Sequence, residues 1–351
     1  MEKQFTRRNL LKTGAAASIA GAAAASTLVL PKKAGAAKRW RMQTHWPAGA
    51  EYYETVYQKF AERVNTATNG ELQIQALSPG TVCATKDVLD AVGRGTLQIG
   101  FVWPAYWIGK IPVASHLNGH LFTWGNFEEM WFFMTEMGAL DIIREAYAEH
   151  GVYVIGPYSA GPLTLYSKKP LEKMEDFKGL KVRSTGTAAD VFKKMGATPV
   201  FFPGEELYQA LQTGVCDAAH WGGVAAGWEM KFQEVTNYIV QPNFAQQTLG
   251  EIIINKKEWD NLPKDIQQIL LDCTLATNAD CNAWYRYHDF VYMKEFQEEY
   301  DGKIVTMDEG AMQKAREYSL EVIDKYSEKD PKYCGRVGKL MHEFLEMTGK
   351  V

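Results

Sequence analysis

The segment from Pro263 to Tyr300 has no internal glycine or proline and carries a helical pattern throughout. A continuous helix there would reach about 55 Å, and Pro263 suits its first position. A single domain of ordinary size is narrower than this, and 351 residues suffice for about two domains. We therefore expect the helix to brace two domains or to pack against a second subunit.

The chain before this helix alternates strand and helix patterns, which is typical of an α/β fold. A strand pattern in 39–49 precedes a helix pattern over 51–70, and a second strand follows at 71–77. The order of helix, strand and loop repeats over 85–110. The apolar stripe of the first helix comprises Tyr53, Val56, Tyr57, Phe60 and Val64.

A second α/β unit follows, and the chain crosses between the two units near Tyr158, near Gln247 and along the C-terminal helix. We predict a two-lobed fold of the type II periplasmic binding protein kind, with mostly parallel sheets, hinge crossovers and a cleft suited to a ligand. The predicted ranges are 37–158 with 248–262 for lobe I, 159–247 for lobe II, and 263–351 for helices that brace both.

The first 36 residues resemble a twin-arginine signal peptide, with Arg7 and Arg8 before an alanine-rich stretch and a small-residue run at Ala34–Ala37. A membrane anchor is the alternative, although the stretch is weakly apolar for a span. Cleavage near Ala36 would remove six basic residues and one acidic residue and change the formal net charge from −4 to −9. Such an acidic protein is unsuited to nucleic acid.

The sequence lacks the motifs of several common hydrolases and nucleotide-binding enzymes. The sequence has no Gly-x-Ser-x-Gly elbow, P-loop, Gly-x-Gly-x-x-Gly after the first strand or His-Glu-x-x-His. The five cysteines are scattered, without a Cys-x-x-Cys pair, and the fold needs no disulfide. His116 and His120 have a zinc-like spacing, but the Asn-Gly between them favours a loop.

Arg183 is the strongest candidate for ligand binding. It ends a short strand, and Ser184 or Thr185 then provides an N-cap for a helix that Gly196 terminates. The free N–H groups of a helix N-terminus and a guanidinium together suit a small anion. A surface arginine paired with an acidic residue is the alternative interpretation.

Aromatic and polar residues at predicted strand ends and loops complete the candidate site. Trp221 and Glu251 each close a β-type run, where a buried tryptophan and a solvated glutamate are the alternatives. Aromatic residues in loops, rather than in stripes, favour an apolar wall around a ligand, although core packing explains some of them. The loop aromatics are His45, Trp46, Tyr52, Tyr53, Trp103, Tyr106 and Trp107, and the candidates for the site among them are Trp46, Tyr53, Trp103, Tyr106 and Trp107.

Three segments resemble the solute-binding proteins of TRAP transporters, the tripartite ATP-independent periplasmic transporters. They are PGTVCATKDVLDAVGRGTLQIGFVWPAYWIGK, the arginine block with LYQALQTGVCDAAHW, and GEIIINKKEWDNLP. The similarity covers essentially the whole chain after the leader, and AYWIGK and DAAHWGG are most similar to the 2-oxo acid and hydroxy acid branch. The resemblance implies that Arg183 makes a paired contact with a substrate carboxylate, a geometry that suits a guanidinium.

The same branch holds a metal ion against its ligand, which implies sodium or calcium bound by the Trp221 carbonyl and by Glu251. His220 and Leu163 depart from the branch, which has Glu and Gln at these places. Oxygen ligands suit these ions and histidine does not, so no cofactor is required by this interpretation. His220 would instead donate a hydrogen bond or carry positive charge toward the anion.

We therefore interpret the chain as a periplasmic, Tat-exported binding protein that delivers a small organic acid to a TRAP permease, and not as an enzyme. Its ligand is expected to be a 2-oxo acid or a related carboxylate, with an aromatic side chain as readily as a small one. A hydroxy acid, an amino acid or a dicarboxylate is the alternative, and an exported redox enzyme is a further one. A homodimer through the long C-terminal helix is compatible with this function.

Overall fold

The computed structural model describes residues 37–117, 120–202 and 204–351. The proposed signal peptide therefore lies outside the described residues. The strands within these ranges are β1 (Lys38–Thr44), β2 (Leu72–Leu77), β3 (Ile99–Val102), β4 (Val152–Ser159), β5 (Leu163–Ser167), β6 (Lys181–Arg183), β7 (Thr198–Val200), β8 (Ala218–Gly222), β9 (Tyr238–Ala245), β10 (Leu249–Asn255) and β11 (Lys303–Thr306).

The α-helices of the same ranges alternate with these strands. They are α1 (Lys59–Ala67), α2 (Val88–Gly93), α3 (Ala114–Leu117), α4 (Phe127–Thr135), α5 (Ala139–Ala148), α6 (Gly186–Lys194), α7 (Gly204–Gln212), α8 (Val224–Glu229), α9 (Lys256–Asp260), α10 (Lys264–Glu299), α11 (Glu309–Lys329) and α12 (Cys334–Met347). A π-helical segment, Tyr53–Gln58, runs directly into α1, so the predicted helix over 51–70 is present. The predicted loop over 103–110 contains a 3-10 turn at Pro104–Trp107.

The strands form two mixed sheets, which confirms the α/β class and qualifies the expectation of mostly parallel strands. The first sheet has the order β2-β1-β3-β10-β4, and the second has the order β11-β9-β5-β8-β6-β7. The β10 strand is antiparallel to β3 and β4, and β5 is antiparallel to β8 and β9. The other pairings of the described strands are parallel.

The two antiparallel central strands mark the places where the chain passes between the sheets. The chain leaves the first sheet at the end of β4 and enters the second at β5, and it returns from β9 to β10. Because β4 pairs with β10 and β5 pairs with β9, two adjacent connections join the sheets. We call the parts of the chain around the first and second sheets the first and second lobes.

The long helix is continuous, as the sequence predicts, and α10 spans 36 residues. Its Asn278 amide donates to the Pro157 carbonyl on β4, while Asp289 accepts from the Ala225 amide at the start of α8. Farther along, Phe296 packs in a cluster with Ile239 of the second sheet. The helix therefore contacts elements of both lobes.

Each sheet carries apolar side chains on both of its faces. Along β10, Ile253 belongs to a cluster with α4, α5 and α12, whereas Ile252 and Ile254 belong to a cluster with α1 and α10. Along β8, Ala218 packs toward α6 and α11, whereas Ala219 packs toward α7. Successive strand residues point to opposite faces, so the position of a residue in its strand decides which cluster it joins.

Within the described ranges, no helix combines the length and the apolar content that crossing a membrane requires. All five cysteines of the chain are described, and each is a free thiol. Cys273 and Cys281 lie on the single helix α10, as predicted.

Candidate functional site

A cavity of about 570 Å³ lies where strands of both sheets end. From the first lobe it is bordered by residues that follow β1 and β3, and from the second lobe by residues at or after the ends of β6, β7 and β8. Ligand sites of α/β proteins form outside the carboxyl ends of strands. The side chains central to the argument are Trp46, Trp103, Tyr106, Arg183, Ser184, His220 and Trp221.

Arg183 is the last residue of β6, is 6% exposed and lines this cavity. Its Nε donates to the Phe202 carbonyl at 3.2 Å, and its Nη1 donates to the His220 carbonyl at 3.2 Å. These bonds fix the plane of the guanidinium. Burial lowers its pKa to about 10, so the group remains a cation at neutral pH.

The start of α6 lies directly beside this arginine. Thr185 occupies the predicted N-cap position in extended conformation, but its side chain makes no capping hydrogen bond. Ser184 and Thr187 are buried, and their hydroxyl oxygens have no hydrogen-bond partner. Because a helix N-terminus exposes unpaired N–H groups, this corner offers hydrogen-bond donors next to a cation.

Trp221 forms the aromatic floor under the guanidinium. The Arg183 Cζ lies 4.6 Å from the centre of the Trp221 ring, a cation–π distance. Trp46 of the first lobe stacks on the same indole with a centroid distance of 6.3 Å. On another side, a Cβ at Gly204 would come within 2.8 Å of the indole, so the glycine leaves room for Trp221.

Three of the nine residues predicted for the site do not line the cavity. The structure brings together Trp46, Trp103 and Tyr106 with the three second-lobe residues Arg183, His220 and Trp221. Tyr53 is buried in the cluster around α1 and α10, and the Trp107 indole donates to the Tyr147 hydroxyl at 2.8 Å. Tyr53 and Trp107 are therefore packing residues, the alternative that the sequence left open.

Glu251 also lies away from the cavity lining, because it faces the other side of the first sheet. It is 1% exposed, and its Oε1 accepts a hydrogen bond from the Tyr147 hydroxyl, while Oε2 has no partner. Burial raises the pKa of this carboxyl group to about 8. The structure therefore does not bring Glu251 to the cavity lining with the other predicted residues.

His220 points away from Trp221, its neighbour on β8, since adjacent strand residues face opposite sides. Its ring packs against Phe192 at 5.2 Å and Phe244 at 6.1 Å, and its Nε2 has no partner. Burial, aided by the charge of Arg183, lowers the pKa of His220 to about 3. In this arrangement the His220 ring is neutral, so it does not supply the expected positive charge but retains one N–H donor.

The donors around the cavity do not fit a sodium or calcium ion. In the described part of the chain, no aspartate or glutamate lines the cavity, and Leu163 occupies one of the predicted ligand positions. Those ions prefer several oxygen ligands, and carboxylates above all. Among the described residues, no group of three or more His, Cys, Asp or Glu side chains is arranged to hold a metal.

Several lining residues escaped the sequence interpretation. His45 is half-buried next to Trp46, with a pKa lowered by desolvation to about 4, and the tyrosines come from α10, from β4 and from the helical region over 52–58. The hydroxyls of two of them lie 3.4 Å apart. The missed aromatic residues are Tyr57, Tyr158 and Tyr285, whereas His45 and Tyr52 belong to the loop aromatics that the sequence singled out.

The two histidines of the zinc-like spacing form a separate buried pair. His116 Nδ1 lies 2.8 Å from His120 Nε2, and burial lowers the pKa of His116 to about 4. This contact is a hydrogen bond between neutral rings, whose outer nitrogens are unpartnered. Residues 118–119, between them, lie outside the described residues.

A cavity between two sheets, joined by paired crossover strands and anchored by a buried arginine, defines a two-lobed solute-binding protein. The chain belongs to the DctP family, since the family model for bacterial extracellular solute-binding protein, family 7, matches residues 42–330. It is accordingly a periplasmic TRAP solute-binding protein and not an enzyme. Such proteins bind small acids and deliver them to a membrane permease.

Three similar proteins illustrate the family. The monocarboxylate 2-oxoacid-binding periplasmic protein of Nostoc sp. (strain PCC 7120) is 28% identical over 335 residues, which cover 92% of this chain and 90% of that protein. A TRAP solute-binding protein from Pseudoalteromonas atlantica T6c, solved with sodium and pyruvate, is 25% identical, with a TM-score of 0.82 over 90% of this chain and 95% of that one. One from Colwellia psychrerythraea, solved with calcium and pyruvate, is 24% identical, with a TM-score of 0.82 over 90% and 96%.

Proposed function

We propose that this chain captures a monocarboxylate with an apolar or aromatic side chain, of which a 2-oxo acid is the leading case. The carrying observation is the buried Arg183 guanidinium in an aromatic cavity that, among the described residues, no acidic side chain lines. Arg183 would hold the carboxylate, and the start of α6 with Ser184 would supply further donors. The 2-oxo acids of the Nostoc and Pseudoalteromonas proteins support the same class of ligand.

The size and walls of the cavity favour a ligand larger than pyruvate. A cavity of about 570 Å³ falls within the range of sites that enclose drug-sized molecules. Rings of both lobes surround it, among them Trp103 of the first lobe and Trp221 of the second. Burial of a branched or aromatic side chain against these rings would add about 25 cal/mol per Å² of apolar surface.

The charges of the cavity disfavour an amino acid. An ammonium group taken out of water needs a carboxylate or several acceptors, and no acidic side chain of the described residues is present there.

A dicarboxylate is the second candidate, because the exposed Lys86 also borders the cavity. Its ammonium would meet a second carboxylate only at a solvated position, where an ion pair contributes little.

We propose that this capture does not depend on a metal ion. Sodium accompanies pyruvate in the Pseudoalteromonas protein. In this chain, however, the described side chains that line the cavity are neutral or positively charged, and none carries a negative charge that would attract a cation. His220 and Leu163 stand at two of the predicted ligand positions, and Glu251 faces the opposite side of its sheet. The Trp221 carbonyl alone is a weak site for an ion that takes six or more oxygen ligands.

The remaining predictions of the sequence stay proposals. The sheet membership of the strands supports lobe boundaries near residues 158 and 247. Arg7 and Arg8 support export by the Tat pathway. Tyr287 and Phe290 on α10 are 65% and 72% exposed, which supports a homodimer through that helix.

Isothermal titration calorimetry tests the proposed ligand class. We expect phenylpyruvate and 4-methyl-2-oxopentanoate to bind more tightly than pyruvate, and phenylalanine not to bind. Arg183→Ala should weaken binding about 100-fold, because the charge-assisted bonds to the carboxylate are lost. Arg316→Ala, at an exposed arginine outside this cavity, is the matched control. Unchanged affinity in the Arg183 variant, or binding restricted to pyruvate, would refute the proposal.

A further inference from the structure

Glu229 links the two lobes on one side of the cavity without belonging to its lining. It is the last residue of α8, which follows β8 and leads back into β9, so both neighbouring strands belong to the second sheet. Its Oε2 accepts from the Trp46 indole N–H at 3.1 Å, and its Oε1 accepts from the backbone N–H of Tyr52 at 3.2 Å. Both donors belong to the first lobe.

The carboxylate of Glu229 is well placed for both donors. Tyr52 lies at the start of the helical segment that continues into α1, where backbone N–H groups lack partners within the helix. A negative charge near a helix N-terminus is stabilising, and the indole N–H has its acceptor in the same carboxylate. One side chain of the second lobe thus pairs two donors of the first.

The contact connects directly to the proposed carboxylate anchor. Trp46, held by Glu229, stacks on Trp221, and Trp221 in turn lies beneath the Arg183 guanidinium. A ligand that occupies the space beside Arg183 therefore adjoins a stack whose outer ring Glu229 fixes. The Trp46 ring has both its hydrogen-bond acceptor, Glu229, and its stacking partner, Trp221, in the second lobe.

The remainder of α8 has its own attachment. The Ala225 amide donates to Asp289 of α10 at 2.7 Å, and Ala225 and Ala226 are buried in the cluster around α1 and α10. This anchoring fixes the first turn of α8 on the bracing helix. Loss of the Glu229 carboxylate would therefore release the Trp46 loop and the start of the 53–58 segment without unfolding α8.

We propose that Glu229 is a closure latch, a positioning residue that holds Trp46 and the first lobe over the bound acid and slows its release. The proposal rests on the proposed function only in that some small acid closes the cleft. It does not depend on which acid that is. The latch acts through Trp46 and does not itself contact the ligand.

The experiment compares full-length Glu229→Ala and Glu229→Gln with Glu54→Gln, a control at an exposed glutamate of the same helical segment. Small-angle scattering follows lobe closure in a saturating mixture of pyruvate, phenylpyruvate, lactate, phenylalanine and succinate. Stopped-flow tryptophan fluorescence follows the release of whichever single acids bind the wild type. We expect release about tenfold faster in Glu229→Ala and about threefold faster in Glu229→Gln, which retains one acceptor, and no change in the control.

Three outcomes decide the proposal. Faster release and incomplete closure with an unchanged melting temperature of the ligand-free protein support the latch. Equal release rates, with a melting temperature lowered to the same extent with and without ligand, would overturn it and assign Glu229 a static structural role. If no acid closes the wild type, the proposed function fails. In that case the latch is tested by backbone hydrogen exchange of residues 51–58 in the ligand-free protein. Faster exchange in Glu229→Ala than in wild type would support the latch, and equal rates would overturn it.

Discussion

The Glu251→Gln substitution tests how the first lobe accommodates a buried carboxyl group. Glu251 is 1% exposed, its Oε1 accepts from the Tyr147 hydroxyl, and no cation is among the groups that shift its pKa. The pKa of about 8 means that the folded protein keeps a proton which the unfolded chain releases above its ordinary value of 4.5. Glutamine imitates the protonated form in shape and cannot ionise.

The sign of the pH effect follows from this difference. The folded state binds more protons than the unfolded state between pH 4.5 and about 8, so the free energy of unfolding falls as the pH rises through that window. At 1.36 kcal/mol per pKa unit, Glu251 alone should lower the free energy of unfolding by about 3 kcal/mol between pH 5 and pH 8. In Glu251→Gln this component should vanish.

Urea denaturation of both proteins at pH 5, 6, 7 and 8 measures the effect. We expect the stability of the glutamine variant relative to wild type to rise by about 3 kcal/mol from pH 5 to pH 8. Glu54→Gln, at an exposed glutamate, should leave the wild-type profile unchanged. Parallel pH profiles for wild type and Glu251→Gln would refute the reasoning. A profile that flattened when calcium or sodium was added would show that Glu251 binds a metal after all.

Two further predictions concern metals and oligomeric state. Ligand affinity measured by calorimetry should stay within twofold when sodium is replaced by choline and EDTA is added, because no acidic side chain of the described residues lines the cavity. A tenfold loss would contradict metal-independent capture. Sedimentation velocity at micromolar concentration should show a dimer that Phe290→Glu dissociates, since Phe290 is 72% exposed on α10. A monomeric wild-type protein at these concentrations would refute the proposed homodimer.

The spacing of apolar residues and the positions of proline and glycine predicted the helices and strands of this fold well. Pro263 and the absence of glycine until Gly302 were enough to predict α10, because both residues are unfavourable in helix interiors. The position of Arg183 before a helix N-terminus was likewise readable, since the short strand, the cap and the terminal Gly196 each have a local signal. Local rules therefore predicted the strand end and helix start at which Arg183 lines the cavity.

The directions of strand side chains were not readable in the same way. All seven residues of β10 are buried, so the strand shows no alternation of polar and apolar residues that would assign Glu251 to one face. The pairing of β10 with β4 also shifts register between Ile252 and Ile253, which sequence does not indicate. Tyr57 and Tyr285 were missed for a related reason: within helices, a ring at the cavity and a ring in the core have the same spacing.

The ionised Arg183 side chain gives the cavity a buried positive charge. Its guanidinium is desolvated and contacts carbonyl groups and an aromatic face, while no acidic side chain of the described residues shares the cavity. A buried charge without a counter-ion is unfavourable, which its lowered pKa of about 10 reflects. In the function proposed above, a bound carboxylate would supply this counter-charge, so the closed arrangement would gain most when an anion is present. From the electrostatics of this one buried side chain, we therefore expect closure around an anion and not around an equally sized neutral molecule.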